Sequence, residues 1–213
     1  MFRLNTNSWV ILCLCIGIFV YILIHNNSKI SNLKFQKDKL ENLSEESQRL
    51  NTRMKLHRIL EIESESLLIN PDLQLIHDVP RDTIFLFNVI GNTPKLIIRY
   101  SNINWGMCNG IDQLNIRNIV EKIGKENILL LTPYSRLEDL ILFKENNDIS
   151  IPIYQFLNSR LFLPIESENI PFLFLVDKSF TTNMVFVPNR VDNIEFERYL
   201  NKVSSFLNIP TNI

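Results

Sequence analysis

The chain has no alanine, five glycines, three histidines and three cysteines in 213 residues. The alanine gap goes with abundant Ile, Leu and Asn and reads as a compositional bias of the source. No Gly-rich phosphate loop, no Ser-His-Asp text and no zinc signature occurs. His57 and His77 are isolated, with no spacing to Cys, Asp or Glu that would hold a metal. The sequence thus implies neither a metal nor any other cofactor. Charge of one sign is missing too: 22 basic against 23 acidic residues leave a net charge of −1. No basic stripe points to nucleic acid as a partner. Cys13 and Cys15 lie in an apolar run, as filler. Cys108 is therefore the only cysteine in the soluble part of the chain.

What is present is ordinary for a globular protein: 46% hydrophobic and 21% charged residues, with length enough for one full core plus appendages. The run Trp9 to Ile24 has neither charge nor proline. As a helix it covers about 24 Å at ~1.5 Å per residue, a little short of a ~30 Å hydrocarbon core. Trp9 and Tyr21 suit a membrane–water boundary. Behind the run stand His25-Asn26-Asn27, with none of the small residues a cleavage site needs. Leu12 and Leu14 precede the two cysteines, which removes a lipoprotein reading. We read residues 9–25 as an uncleaved signal anchor in membrane lipid, after a flank of residues 1–8. Orientation is in conflict. Arg3 lies on one side and Lys29, Lys34, Lys37 and Lys39 on the other, so the charge rule favours a cytoplasmic domain, although large C-terminal domains translocate despite such charges.

Residues 26–63 read as a helical stalk. Ile30 to Ile62 lacks Pro and Gly, and Leu33, Leu40, Leu43, Leu50 and Met54 approach a heptad that Ser47, His57 and Glu61 interrupt. A solvated stalk and a homodimeric coiled coil are both open. Residues 64–82 read as a linker, with turns at Asn70-Pro71-Asp72 and Asp78-Val79-Pro80. A compact domain, 83–213, follows. Thr83–Ile90 and Leu96–Tyr100 read as strands around the turn Gly91-Asn92-Thr93-Pro94. Ile111, Leu114, Ile119, Val120 and Ile123 share a helical face that ends at Gly124. Asn127–Thr132 is a continuous apolar strand, as the middle of a parallel sheet requires. Ser135-Arg136-Leu137-Glu138 is a capping box opening a helix to about Asn146. Ile151–Leu157 reads as a short strand. Phe172–Asp177 and Met184–Val187 form a hairpin around Lys178–Asn183. Asp192 caps a last helix carrying Ile194, Phe196, Tyr199, Leu200, Val203 and Leu207. Glu166 and Glu168 read as solvated loop residues, and Arg99 as a surface or edge residue.

Cys108 stands between a strand and a helix, after Ser101-Asn102-Ile103-Asn104-Trp105-Gly106-Met107. A thiol at a helix start meets unpaired N–H groups and the positive end of the helix dipole, which favours its thiolate.

Strand, strand, helix, strand, helix, strand, hairpin strand, helix resembles the order of a thioredoxin-like domain. The text of Leu96–Ser101 and of Pro171–Asp177 is similar to membrane-anchored thioredoxin-like proteins of Bacteroidetes. The resemblance covers roughly Thr83 to Leu207. It implies an α/β fold, a central mixed sheet flanked by helices, here preceded by the transmembrane and stalk helices. It puts Cys108 in the active-site corner and Ile170-Pro171 at the position of the family's cis-proline. Corner and proline loop would together bind an extended peptide, through Trp105, Gly106, Met107, Ile170 and Pro171. Family enzymes carry Cys-x-x-Cys in the corner, the first cysteine attacking and the second resolving. Trp105-Gly106-Met107-Cys108 has one thiol, so the usual dithiol route is closed within the chain. Peroxidase chemistry would want Thr or Ser three residues before the cysteine, where Trp105 stands. The resemblance therefore implies a degenerate redox site on a protein- or peptide-binding module of the cell envelope, on the periplasmic side of the inner membrane. The alternative is a monothiol oxidoreductase or peroxidase in which Cys108, as the catalytic residue, pairs with a partner's thiol.

Overall fold

The computed structural model describes residues 6–77, 82–100, 116–132, 137–146, 149–156, 160–188 and 193–209. The chain divides into two compact units, Met1–Met54 and Lys55–Ile213. The first is helix throughout its described residues, part of α1 (Thr6–Glu63). Leu33, Leu40, Leu43, Leu50 and Met54 are exposed on it. Exposed ion pairs join Lys37 to Glu41 and Glu45 to Arg49, each one helical turn apart. Among the described residues no helix is long and apolar enough to cross a membrane. The side chains of residues 9–15, 22 and 24, about half of the expected span, lie outside the described ones.

The second unit is built on a seven-stranded sheet in the order β2-β1-β5-β4-β3-β6-β7. Its strands are β1 (Gln74–His77), β2 (Thr83–Phe85), β3 (Lys95–Arg99), β4 (Ile128–Thr132), β5 (Ile153–Phe156), β6 (Phe172–Val176) and β7 (Thr182–Phe186). The sheet is mixed: β3, β4 and β5 run parallel, while β6, β7, β1 and β2 pair antiparallel. β3 is paired on both sides, by β4 and β6, and with β4 and β5 it makes up the three central strands of the seven. Burial explains the apolar texts, since every residue of β4 and β6 is buried.

Helices α3 (Ile116–Ile123) and α5 (Asn193–Phe206) cover one face. Ile116, Ile119, Ile123, Phe196, Tyr199, Leu200 and Val203 pack there on Leu96, Ile98, Leu130, Ile153 and Leu173. The opposite face carries Ile97, Leu129, Leu131, Phe172 and Phe174. It is covered by Leu60 near the end of α1, by α2 (Leu86–Ile90) and by Leu161, Leu163 and Ile165. Helix α4 (Leu137–Asn146) joins β4 to β5.

Three expectations are corrected. The stretch 64–82 is more than a linker: Ile69, Leu73 and Leu75 are fully buried or nearly so, and β1 pairs with both β2 and β5. Thr83–Ile90 is not one strand. After Phe85 the chain turns into α2, because the Leu86 N–H donates to the Leu73 carbonyl and the Phe87 N–H to that of Pro71. Gly91 ends α2 with φ 58°, which costs a residue without Cβ little. Ile194 faces solvent rather than the core. The expected caps Ser135 and Asp192, and the helical residues Ile111 and Leu114, lie outside the described residues.

Candidate functional site at the carboxyl end of the central strands

β3 ends at Arg99, and in its antiparallel register with β6 Arg99 faces Phe172. That register sets Pro171 opposite Tyr100, so the loop before β6 lies at the same end of the sheet as the end of β3. Pro171 and Ile170 are half-buried, and Ile170 packs against the core that includes Phe172 and Phe174. Trp105, Gly106, Met107 and Cys108 lie outside the described residues. So do the distance from Cys108 to Pro171 and the surroundings of the thiol.

The described part of this end is organised by a charge that sequence reasoning misplaced. Arg99 sits on the central strand, with its side chain 13% exposed. Its Nε lies 3.4 Å from Oε1 of Glu166, whose side chain is 9% exposed. A guanidinium N–H also donates to the Tyr100 carbonyl. The guanidinium carbon stands 5.0 Å from the centre of the Phe156 ring, a cation–π distance. Burial lowers the Arg99 pKa, the Glu166 charge and hydrogen bond oppose that, and Arg160 adds to the lowering. Arginine stays charged even so. Its desolvation is offset by a carboxylate, a carbonyl and a ring face.

Glu166 is therefore not a solvated loop residue. It lies in a 3₁₀ turn, Pro164–Glu168, with Pro164 in the first turn, where the missing N–H costs nothing. Its second oxygen accepts the Phe162 N–H at 3.0 Å. Phe162 has φ 59° and is 81% exposed, between the buried Leu161 and Leu163. A left-handed phenylalanine is sterically costly. The Glu166 carboxylate thus ties two things together: the end of the central strand and an aromatic ring held out in solvent. Glu168 is exposed, as expected. His77 packs on Tyr154 at 4.9 Å between ring centres. No group of residues able to hold a metal is found among the described residues.

Arg99, Glu166 and Phe162 could have been suspected from the sequence. A lone arginine inside Leu-Ile-Ile-Arg-Tyr demands a counter-charge if the strand is central. The text Leu161-Phe162-Leu163-Pro164 is too apolar for three inward side chains in a row.

Chemically, a pair so engaged is a fastener rather than a free cation. Its carboxylate neutralises Arg99, so the positive charge at the end of β3 is already committed.

Solved structures share this fold. A protein of Aquifex aeolicus assigned to electron transfer superposes with a TM-score of 0.50 at 14% identity, over 66% of this chain and 94% of that one. The thioredoxin domain of a thiol-disulfide oxidoreductase from Bacteroides vulgatus gives 0.49 at 15% identity, over 67% and 98%. The mitochondrial 2-Cys peroxiredoxin of Plasmodium falciparum gives 0.47 at 13%, over 70% and 96%. No protein-family model matches the chain, and no curated protein does. The fold is thioredoxin-like: an α/β domain with a mixed sheet, attached to a long helix. At these identities the likeness is one of fold.

Proposed function

We propose that the protein is a membrane-anchored, thioredoxin-like binding module that has lost dithiol chemistry. One observation carries this reading: a thioredoxin-like sheet whose corner segment, after β3, contains a single cysteine, Cys108. Without a second thiol in the soluble part of the chain, where Cys13 and Cys15 do not lie, a mixed disulfide has no internal attacker. The commitment of Arg99 to Glu166 supports the same view, because it leaves that cation unavailable to a thiolate. The exposed Phe162 supports peptide binding, since it offers an apolar contact on the segment that leads to Pro171. Ile170, Pro171, Trp105, Gly106 and Met107 form the proposed binding face. Cys108 takes part as a contact rather than as a nucleophile.

The apolar run 9–25 anchors the chain in the inner membrane by a single pass, with the domain in the periplasm. The partner is a protein or peptide of the cell envelope. The exposed leucines of the stalk pair two copies.

Insulin reduction by the whole protein tests the chemistry, together with the pH dependence of Cys108 alkylation. The expected result is background reduction and a thiol no more reactive than a free one near 8.5. Catalytic turnover, or a thiolate formed well below that pH, would replace this reading by a monothiol oxidoreductase or peroxidase working with a partner's thiol.

A further inference from the structure

The stretch 160–163 alternates outward and inward: Arg160 and Phe162 are exposed, while Leu161 and Leu163 are buried. The two leucines belong to the core that includes Phe172 and Phe174, and they fix the stretch from both sides of Phe162. The Phe162 ring is 81% exposed and makes no ring contact among the described residues. Its backbone has φ 59°, an angle that glycine or asparagine would meet with less strain. A backbone outlier held in place by its surroundings points to function. The holder is Glu166, which accepts the Phe162 N–H at 3.0 Å.

Arg160 supplies a charge beside the ring. Its positive charge acts on Arg99, so it lies near the Arg99–Glu166 pair. Glu166 neutralises Arg99 but not Arg160, because its two oxygens are taken by Arg99 and by the Phe162 N–H. Glu168, exposed in the same turn, makes no ion pair with Arg160. Among the described residues Arg160 has no hydrogen bond and no ion pair. An exposed cation and an exposed aromatic ring thus stand two residues apart, on the segment that runs to Ile170 and Pro171. Arginine and aromatic residues are the types enriched where one chain binds another.

We infer that Arg160 and Phe162 select acidic–apolar peptides for the binding face: the ring takes an apolar side chain, and the guanidinium takes a carboxylate close to it in the same peptide. The inference rests on the peptide-binding reading and adds the class of peptide to it. A carboxylate is the complement because its two oxygens match the planar fork of donors that a guanidinium presents. No acidic group of the described residues competes for Arg160. Glu166 is a positioning residue here. It holds the ring outward and cancels the charge of Arg99, so that Arg160 alone attracts the carboxylate.

The test uses the full chain, solubilised in detergent, and two rhodamine-labelled nonapeptides built on one phenylalanine among Gly and Ser. They differ in one residue, Asp or Asn, two places after the phenylalanine. Fluorescence anisotropy at low salt should show the Asp peptide bound about threefold more tightly, the size expected of an exposed ion pair. Arg160→Gln should abolish that preference, and ~0.5 M salt should shrink it. Phe162→Gly should weaken both peptides about fivefold or more. Its urea midpoint should stay at or above the parent's, since glycine takes the left-handed angle without strain. Equal binding of the two peptides by the parent overturns the inference and leaves the peptide-binding reading standing. Binding of neither peptide overturns both. A preference that survives Arg160→Gln, or affinities untouched by Phe162→Gly, would overturn the inference as well. A lowered urea midpoint for Phe162→Gly would assign the ring to the fold and count against it.

Discussion

Arg99 and Glu166, 67 positions apart in sequence, form an ion pair that fastens the end of the central strand to the turn leading to Pro171. Everything proposed for the binding face depends on where that turn lies. Removing one partner leaves the other charged and buried, which costs about 3 kcal/mol. Arg99→Met should therefore destabilise the domain by about that amount in urea titration. Arg99→Met combined with Glu166→Gln should recover more than half of the loss. Simple additivity of the two changes would show that the pair is not coupled.

Tyr199 is buried and its hydroxyl has no hydrogen-bond partner among the described residues. Burial first, then the charges of Glu65 and Glu61, raise its pKa well above the ordinary value. The folded state thus holds this proton after the unfolded chain has released it. Stability is fully present below about pH 10, the ordinary tyrosine value, and falls as pH rises beyond it. Tyr199→Phe should flatten that alkaline decline and change neutral-pH stability by about 1 kcal/mol or less. Ultraviolet titration should find one phenol that ionises only with unfolding.

Glu197 of α5 receives hydrogen bonds from Lys122 and Asn118 of α3. The Lys122 bond is the main cause of its lowered pKa; partial burial opposes the shift, and Asn118 adds to it. A lowered carboxylate pKa stabilises the fold above about pH 4.3, the unfolded value, and the benefit is lost as pH falls through the folded pKa. Because the pair is substantially exposed, Glu197→Gln should cost only a few tenths of a kcal/mol. It should also shift the acid midpoint slightly upward.

Gly124 closes α3 with φ 79°, and a Cβ there would meet the Glu126 carboxylate. The side chain can swing away, but the backbone angle cannot be relieved so simply. Gly124→Ala should destabilise by about 1–2 kcal/mol in thermal or urea unfolding. At ψ 134° this is not the left-handed helical region that asparagine tolerates, so Gly124→Asn should cost no less.

Trp105→Cys would place Gly106 and Met107 between two thiols at the corner. If the corner keeps the geometry the resemblance implies, mild oxidant should close a disulfide between positions 105 and 108, seen as loss of both free thiols. Two persistently free thiols would move the corner elsewhere.

The strands legible in the sequence were those whose chemistry admits one environment. β4 is apolar at four consecutive positions and could only lie between neighbours with both faces covered. β6 and β7 announced themselves by a polar turn between apolar runs. Thr83–Ile90 failed because an unbroken apolar text suits a short strand followed by a helix turn as well as one strand, and the deciding bonds come from Leu73 and Pro71. Glu166 failed for a related reason. Among Ser, Asn and another Glu it looks solvated, and only the central position of Arg99 brings it inward. Glu61 and Glu65, whose carboxylates accept the N–H groups of Val187 and of Met184 and Val185, leave no local pattern, because these main-chain amides are more than a hundred residues away.

The central place of β3 has a consequence for synthesis. Its bonds to β4 can form once Thr132 has left the ribosome, but its other edge is completed by β6, ending at Val176. At ~5–20 residues per second, the nascent chain carries an apolar strand with one unsatisfied side for several seconds. Sequence changes that slow translation between β4 and β6 should therefore lower soluble yield more than the same delay placed after Val176.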